Sequence, residues 1–158
     1  MRAIRRAVLV FLALLVVSGT AYGEPLHEVD QNEKCPVCGM FVASYEQWLS
    51  QIIRGGDAQP LVFDGVKDMM VFYFSPEDYG GASREAIRGI FVKDYYSLKS
   101  LPGKEAFYVV GSDVYGPMGH ELIPFTTEED ARTFMMDHRG KRLLRFWEVT
   151  PEVIGALD

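Results

Sequence analysis

The chain of 158 residues has few of the side chains from which metal and disulfide sites are usually built, with two cysteines and three histidines. Both cysteines lie in one segment, Cys35-Pro36-Val37-Cys38-Gly39-Met40, and no second Cys-x-x-Cys pair exists. A disulfide within this segment closes too short a loop to stabilise the fold much. The pair is therefore a poor structural staple, and a zinc site built on it would need His27, His120 or His138.

The sequence also lacks a basic stripe. Residues 1–23 hold three of the 16 basic residues and none of the 22 acidic ones, so the remainder has 13 basic and 22 acidic residues and a formal charge of −9. Proteins that bind nucleic acid carry a clustered positive surface. Nucleic acid is therefore excluded as a partner.

Long apolar runs are scarce as well, and the one at residues 7–17 follows three arginines. It is too short for an ordinary membrane span, and Ala21-Tyr22-Gly23 offers the small residues that a signal peptidase reads. We expect residues 1–23 to be a secretory signal and the mature chain to be periplasmic and soluble, without stable membrane insertion. No cysteine lies near the cleavage point, so no lipid anchor is expected; a retained, uncleaved signal is the alternative.

The segment from Cys35 to Met40 places three sulfur atoms within six residues. Thiolate and thioether are soft ligands, so they suit Cu(I) first and zinc only if harder ligands join. The same string also fits a zinc knuckle, in which Gly39 lets the backbone turn under the metal. A third interpretation is a thiol-disulfide oxidoreductase, although the flanking sequence does not show the strand and helix typical of a thioredoxin motif.

The rest of the chain predicts an α+β fold with antiparallel sheets, built from two ββαβ units that align at an offset of about 62 residues. In the first unit, strands are predicted at 48–54 and 59–63, a helix from Asp64 through Phe74, and a strand at 88–94. The segment 100–103 marks a boundary between halves, which we place at 24–101 and 102–158.

The second unit repeats this order, with strands at 106–111 and 121–125, a helix after the capping residues Thr126 and Thr127, and a strand at 141–146. Some residues of both helices have plain structural roles. We expect Asp64 to be a helix N-cap, His138 to interact with a helix dipole, and Asp113 to be a turn acid. The methionines at helical positions are predicted to be core or half-buried: Met69, Met70, Met135 and Met136.

A second suggestive string is Tyr115-Gly116-Pro117-Met118-Gly119-His120. Met118 and His120 stand two residues apart, so at the start of an extended strand they would point to the same side. A thioether and an imidazole facing the loop of Cys38 and Met40 would give a set of soft and borderline ligands. Cu(I) prefers such a set, although each residue alone could be an ordinary turn or gap-filling residue.

These two strings together resemble the NosL family, the accessory proteins of nitrous oxide reductase. The resemblance runs from about Cys35 to Trp147 and includes Phe63-Asp64-Gly65, residues 92–95 and residues 145–149. It implies a periplasmic Cu(I) chaperone, not an enzyme, that delivers copper for the copper sulfide centre of the reductase. It also implies a fold of two ββαβ units related to the organomercurial lyase core.

Carried onto this sequence, the resemblance implies that Cys38, Met118 and His120 are the foremost copper ligands, with Met40 and Cys35 behind them. Family members are commonly lipoproteins, and this sequence lacks a cysteine at its predicted cleavage site. The recipient could therefore be nitrous oxide reductase or another exported copper enzyme. Cys35 is expected to act either as a ligand or as a disulfide partner that switches Cys38 off.

Overall fold

The computed structural model describes residues 27–56, 59–81 and 83–157; the predicted signal at 1–23 lies outside them. The strands are β1 (Ser50–Arg54), β2 (Leu61–Phe63), β3 (Ile87–Lys93), β4 (Ser100–Pro102), β5 (Phe107–Val110), β6 (Tyr115–Gly116), β7 (Gly119–His120), β8 (Ile123–Phe125) and β9 (Arg142–Arg145). The α-helices are α1 (Val66–Phe74), α2 (Glu128–Asp137) and α3 (Pro151–Gly155). Short 3₁₀ segments are Val42–Trp48, Pro76–Tyr79, Arg84–Ala86 and Phe146–Glu148. None of the helices within the described ranges has the length and hydropathy needed to cross a membrane.

The two predicted ββαβ units are confirmed, in the order β1-β2-α1-β3 and then β5-β8-α2-β9. Their sheets have matching antiparallel arrangements, β2-β1-β3-β4 and β8-β5-β9, with the first strand of each unit between its two partners. Ser50 of β1, for example, pairs with Phe63 on one side and Val92 on the other. The boundary predicted after residue 101 falls inside β4, which pairs with β3 of the first sheet.

One hydrophobic cluster joins the two units. It contains Ile52 and Met69 from the first unit together with Tyr108 and Leu122 from the second, all fully buried. A smaller cluster around Phe134 lies under α2. Since the larger cluster draws on both sheets, burial of apolar surface holds the units against each other.

The methionine predictions divide between the two helices. Met69 and Met70 of α1 are buried, because this helix is apolar on most of its surface. Met135 is half-buried, but the prediction for Met136 is wrong, since 76% of it is exposed. In the amphipathic α2 the buried positions are Ala131 and Phe134, and residue 136 lies outside that stripe.

The ends of α2 follow the sequence signals. Thr127 is the N-cap, and its side chain accepts a hydrogen bond from the Asp130 amide at 3.1 Å. His138 follows the last turn, stacks on Phe134 and lies 3.1 Å from Asp113 through its Nδ1. His138 therefore has a structural role through these two contacts, while its interaction with the helix dipole stays a prediction.

Asp94 connects the end of β3 to the start of α2. Its Oδ2 accepts hydrogen bonds from the Thr126 amide at 2.7 Å and hydroxyl at 3.0 Å, and its Oδ1 accepts from the Ser97 amide and hydroxyl at 2.7 and 2.8 Å. Burial opposes the charged form, but these four hydrogen bonds outweigh it and lower the pKa of Asp94. A single buried carboxylate therefore ties the two units together beside their shared core.

Candidate metal centre

The cysteine segment forms a tight turn. The Cys35 amide donates to the Met40 carbonyl and the Gly39 amide donates to the Cys35 carbonyl, both at 2.9 Å. Gly39 has φ +77°, a left-handed conformation that glycine adopts without strain. An antiparallel bridge from Lys34 to Phe41 closes the turn. The turn has the form expected of a metal knuckle, and both cysteines are free thiols.

Two carboxylates at the start of α1 face these thiols. The Cys35 Sγ donates to Asp68 Oδ2 at 3.3 Å, and the Cys38 Sγ lies 3.5 Å from both Asp64 carboxylate oxygens. One ligand atom from each of the four residues lies within 4.8 Å of the others. The sequence prediction included the two cysteines and missed the two acids as metal-site residues.

The prediction that Asp64 is a helix N-cap is wrong. Gly65 occupies that position, and no side chain in the described chain caps this helix from there. Asp64 instead turns its carboxylate to Cys38. The available signal was the spacing: Asp64 and Asp68 stand four residues apart, one helical turn, beside Lys67 at the start of a mostly apolar helix, where charged residues are rarely buried unless they are paired.

Burial governs the electrostatics of this group. Cys35 is 1% exposed, Asp64 0% and Asp68 4%. Burial raises the pKa of Cys35 strongly, raises the pKa of the half-buried Cys38 to about 11, and raises that of Asp68. Without a metal, both thiols therefore hold their protons at neutral pH, and a cation must displace them.

The raised thiol pKa values weigh against the oxidoreductase interpretation. Redox-active cysteines in Cys-x-x-Cys motifs have a lowered pKa, because the thiolate is the nucleophile. Here the pKa of Cys38 is raised to about 11, mainly by burial and further by the neighbouring Asp68. A site that resists thiolate formation in the absence of a cation suits metal binding better than thiol exchange.

The second predicted loop is a two-residue hairpin, β6 with β7. Met118 lies in its turn and Gly119 has φ +87°, so the expectation of an extended strand through Met118 is wrong and the alternation argument for residues 118 and 120 does not apply. Met118 is 40% exposed, and the His120 ring packs on Tyr115 with centroids 4.7 Å apart.

His120 presents an unused nitrogen. Its Nδ1 is buried, and within the described part of the chain it has no hydrogen-bond partner. Buried polar atoms are nearly always paired, so an orphaned imidazole nitrogen is a sign of a missing ligand. This lone pair fits a metal ion, although His120 stands outside the 4.8 Å cluster of Cys35, Cys38, Asp64 and Asp68.

Both predicted loops meet the same end of α1. The cysteine turn contacts Asp64 and Asp68, and the hairpin contacts Lys67, whose Nζ donates to the Met118 carbonyl at 2.7 Å. The Met40 carbonyl closes the cysteine turn, and its side chain is half-buried. The first turn of α1 is thus the element against which thiols, carboxylates and the Met118–His120 loop are all arranged.

Comparison with known proteins identifies the family. The NosL family model matches residues 25–154, most of the chain. The chain belongs to the NosL family. Two curated relatives are each named copper-binding lipoprotein NosL: that of Stutzerimonas stutzeri is 29% identical over 134 residues, and that of Achromobacter cycloclastes 30% identical over 117 residues. These alignments cover 80% and 67% of this chain, and the chain spans 66% and 58% of the two relatives.

The fold agrees with a solved NosL structure. The crystal structure of the copper chaperone NosL from Shewanella denitrificans superposes with a TM-score of 0.71, covering 82% of this chain and 98% of that one. At 22% sequence identity this likeness establishes the fold. The predicted α+β class with antiparallel sheets is thereby confirmed, while the relation to the organomercurial lyase core stays a prediction.

Proposed function

We propose that this protein is an exported Cu(I) chaperone that delivers copper for assembly of the copper sulfide centre of nitrous oxide reductase, or to another exported copper enzyme. It binds and transfers an ion and catalyses no reaction. The single observation that carries this proposal is the convergence of two sulfur-bearing loops, Cys35–Met40 and Met118–His120, on the first turn of α1. The names of the two relatives, both copper-binding, support it.

Cys38, Met118 and His120 are the proposed ligands, with Met40 and Cys35 as secondary ones. A single thiolate with Cu(I) is electrically neutral, so it can bind in a half-buried site without stranding a charge. The thioether of Met118 and the unpaired Nδ1 of His120 add neutral donors of the kind that Cu(I) prefers. Cys35, at 1% exposure, is the least accessible of the five.

Accessibility favours transfer over storage. Met118 is 40% exposed and Cys38 is half-buried, so the donor atoms of a partner protein can approach the ion before this chain releases it. Exchange through shared ligands lets a tight site release copper without free ions in solution. The wholly buried Cys35 cannot take part in the first step of such an exchange.

A zinc site is the second candidate, and one observation favours it. Cys35, Cys38, Asp64 and Asp68 offer two sulfur and two oxygen ligands within 4.8 Å, a set that suits tetrahedral Zn(II). A structural zinc site of this kind would make folding depend on the metal. The protein would then lose its structure when zinc is chelated and would show no preference for Cu(I).

Delivery can be tested with purified components. Cu(I)-loaded protein is mixed anaerobically with copper-depleted nitrous oxide reductase, and copper transfer is followed by separating the two proteins and measuring metal in each. We expect the reductase to gain copper from the wild type. Cys38→Ser, separated from unbound copper before mixing, should bring less copper into the assay and supply correspondingly less to the reductase. Copper that stays on the wild-type protein in the presence of this recipient contradicts delivery to the reductase.

A further inference from the structure

Lys67 of α1 holds the hairpin loop at two points. Its backbone amide donates to Glu121 Oε1 at 2.5 Å, and its side-chain Nζ donates to the Met118 carbonyl at 2.7 Å. The two acceptors lie on either side of His120 in the sequence. One residue therefore fixes both ends of the segment that contains Met118 and His120.

Glu121 is built into this contact. It is 2% exposed, and its Oε1 also accepts a hydrogen bond from the Leu122 amide at 2.8 Å. The first amides of a helix have no partner within the helix, and Glu121 satisfies that of Lys67 from the other unit. Burial raises the pKa of Glu121 to about 8, so the hydrogen bonds that it accepts, rather than a charge at the helix N-terminus, hold it against α1.

Two glycines, Gly65 and Gly116, lie close against the Glu121 side chain. A Cβ atom at Gly65 would overlap the Glu121 Oε2, and one at Gly116 would lie 3.1 Å from the same oxygen. Glycine at both positions allows the Glu121 carboxyl group to lie directly against the start of α1. A Cβ at Gly155 in α3, by contrast, would meet nothing within 4 Å.

The same helical turn carries the thiol partners. Asp68, the residue after Lys67, accepts the Cys35 thiol, and Asp64 lies against Cys38. A rotation or shift of the hairpin relative to this turn would change the separation between the His120 and Cys38 donor atoms. Contacts that prevent such a shift therefore determine the geometry of any ion held between the two loops.

We propose that Lys67 and Glu121 form a clamp that positions Met118 and His120 against Cys38 and thereby sets the Cu(I) affinity without contacting the ion. This inference rests on the proposed function and names the positioning residues of its site. The loop contains two glycines and would otherwise lose conformational freedom when copper binds. Holding it beforehand removes part of that cost, as outer partners of metal ligands commonly do.

The first test removes the side-chain half of the clamp. Lys67→Met keeps the aliphatic stem and loses the donor to the Met118 carbonyl, while Lys67→Arg restores a donor, and Lys104→Met is the control at an exposed lysine. In anaerobic competition with a chromophoric Cu(I) chelator, we expect Lys67→Met to bind roughly 10- to 100-fold more weakly, Lys67→Arg to recover part of the affinity, and Lys104→Met to match the wild type.

The second test acts on the Glu121 contact without changing Lys67 or Glu121. Gly65→Ala places a methyl group where Glu121 Oε2 lies, whereas Gly155→Ala has open space. We expect Gly65→Ala to weaken Cu(I) binding and Gly155→Ala to leave it unchanged. Equal affinities for these two variants would overturn the clamp.

A third variant tests whether a loss of stability alone weakens Cu(I) binding. Tyr108→Phe removes the buried hydrogen bond from the Tyr108 hydroxyl of β5 to the Gly103 carbonyl, so it lowers stability without removing either hydrogen bond of the clamp. We expect Tyr108→Phe to lower Tm and keep its Cu(I) affinity. A loss of affinity in Tyr108→Phe as large as that in Lys67→Met would overturn a positioning role.

Failure of the clamp and failure of the proposed function give different results. If Met118→Leu weakens Cu(I) binding and Lys67→Met does not, the copper site stands and the clamp is wrong. If the wild type binds no Cu(I), the proposed function is wrong. Hydrogen exchange of the metal-free protein then still tests the clamp. If the amides of residues 118–120 exchange at the same rate in Lys67→Met as in the wild type, Lys67 does not hold the loop.

Discussion

The Sγ of Cys35 donates a hydrogen bond to Asp68 Oδ2 at 3.3 Å across a contact that is almost closed to solvent on both sides. The pair joins the cysteine turn to α1 over 33 positions of sequence. A buried carboxylate beside a buried thiol disfavours the thiolate, because a second negative charge would have to form next to the first. An arriving cation removes that penalty, so the same contact that keeps the metal-free thiols protonated makes the site responsive to a metal.

Removal of the Asp68 charge should make a thiolate easier to form. Burial is the main reason that the pKa of Cys38 is raised to about 11, and Asp68 adds to it. In a Cys35→Ser background, Asp68→Asn should therefore lower the pKa of Cys38 below that of the background protein. Thiolate absorbance near the ultraviolet edge, followed against pH, measures this, and an unchanged or higher pKa of Cys38 would contradict the influence of Asp68 on Cys38.

Oxidation of the cysteine pair should switch the site off. A disulfide between Cys35 and Cys38 consumes the thiolate that the proposed copper site requires. We expect the oxidised protein to lose Cu(I) binding and to regain it after reduction. A titration in which the oxidised protein keeps its full affinity would remove Cys38 from the ligand set.

Asp94 should contribute stability that depends on pH. Its pKa is lowered in the folded protein, so its contribution is fully present above the unfolded-state pKa of about 3.9 and is lost as pH falls through the lower folded-state value. Asp94→Asn cannot accept all four hydrogen bonds and should cost about 2–3 kcal/mol at neutral pH. The control is Asp78→Asn at an exposed acid. Urea unfolding from pH 7 to pH 3 measures the difference in the free energy of unfolding between wild type and Asp94→Asn. We expect this difference to become smaller as the pH falls, and a difference that grows at acid pH contradicts this role.

The core under α2 offers a paired test of burial. Phe134 is fully buried and Met136 is 76% exposed on the same helix. Phe134→Ala should lower the free energy of unfolding by about 3–5 kcal/mol, while Met136→Ala should change it by about 0.5 kcal/mol or less. Denaturant unfolding of both variants checks this, and comparable losses would mean that α2 is packed on a different face.

Local signals predicted the fold well. The two ββαβ units followed from short apolar strands, turn residues and the capping residue Thr127, all of which act within a few positions of sequence. The β6–β7 hairpin was harder to predict. Gly119 has a positive φ, so Met118 and His120 do not lie in one extended strand as the sequence analysis assumed. The burial of Met136 could not be predicted from its residue type, because methionine occurs on both the buried and the exposed face of an amphipathic helix.

The carboxylates of the site could not be predicted in the same way. Asp64 and Asp68 meet the cysteines over 26 and 33 positions, and their four-residue spacing does not by itself show which distant residues they face. The contact exists because the core draws α1 against the cysteine turn, with Cys35 and Met69 in one hydrophobic cluster. The clamp of Lys67 and Glu121 depends likewise on the packing of one unit against the other.

The central claim is that one Cu(I) site is shared between the cysteine turn and the hairpin loop. An anaerobic competition titration of the reduced protein with Cu(I), and separately with Zn(II), tests it most directly, using wild type, Cys38→Ser, Met118→Leu and the exposed control Met136→Leu. The account predicts one Cu(I) per chain, a preference for Cu(I) over Zn(II), and affinity losses of roughly tenfold or more in Cys38→Ser and Met118→Leu alone. Full Cu(I) affinity in Met118→Leu would contradict it.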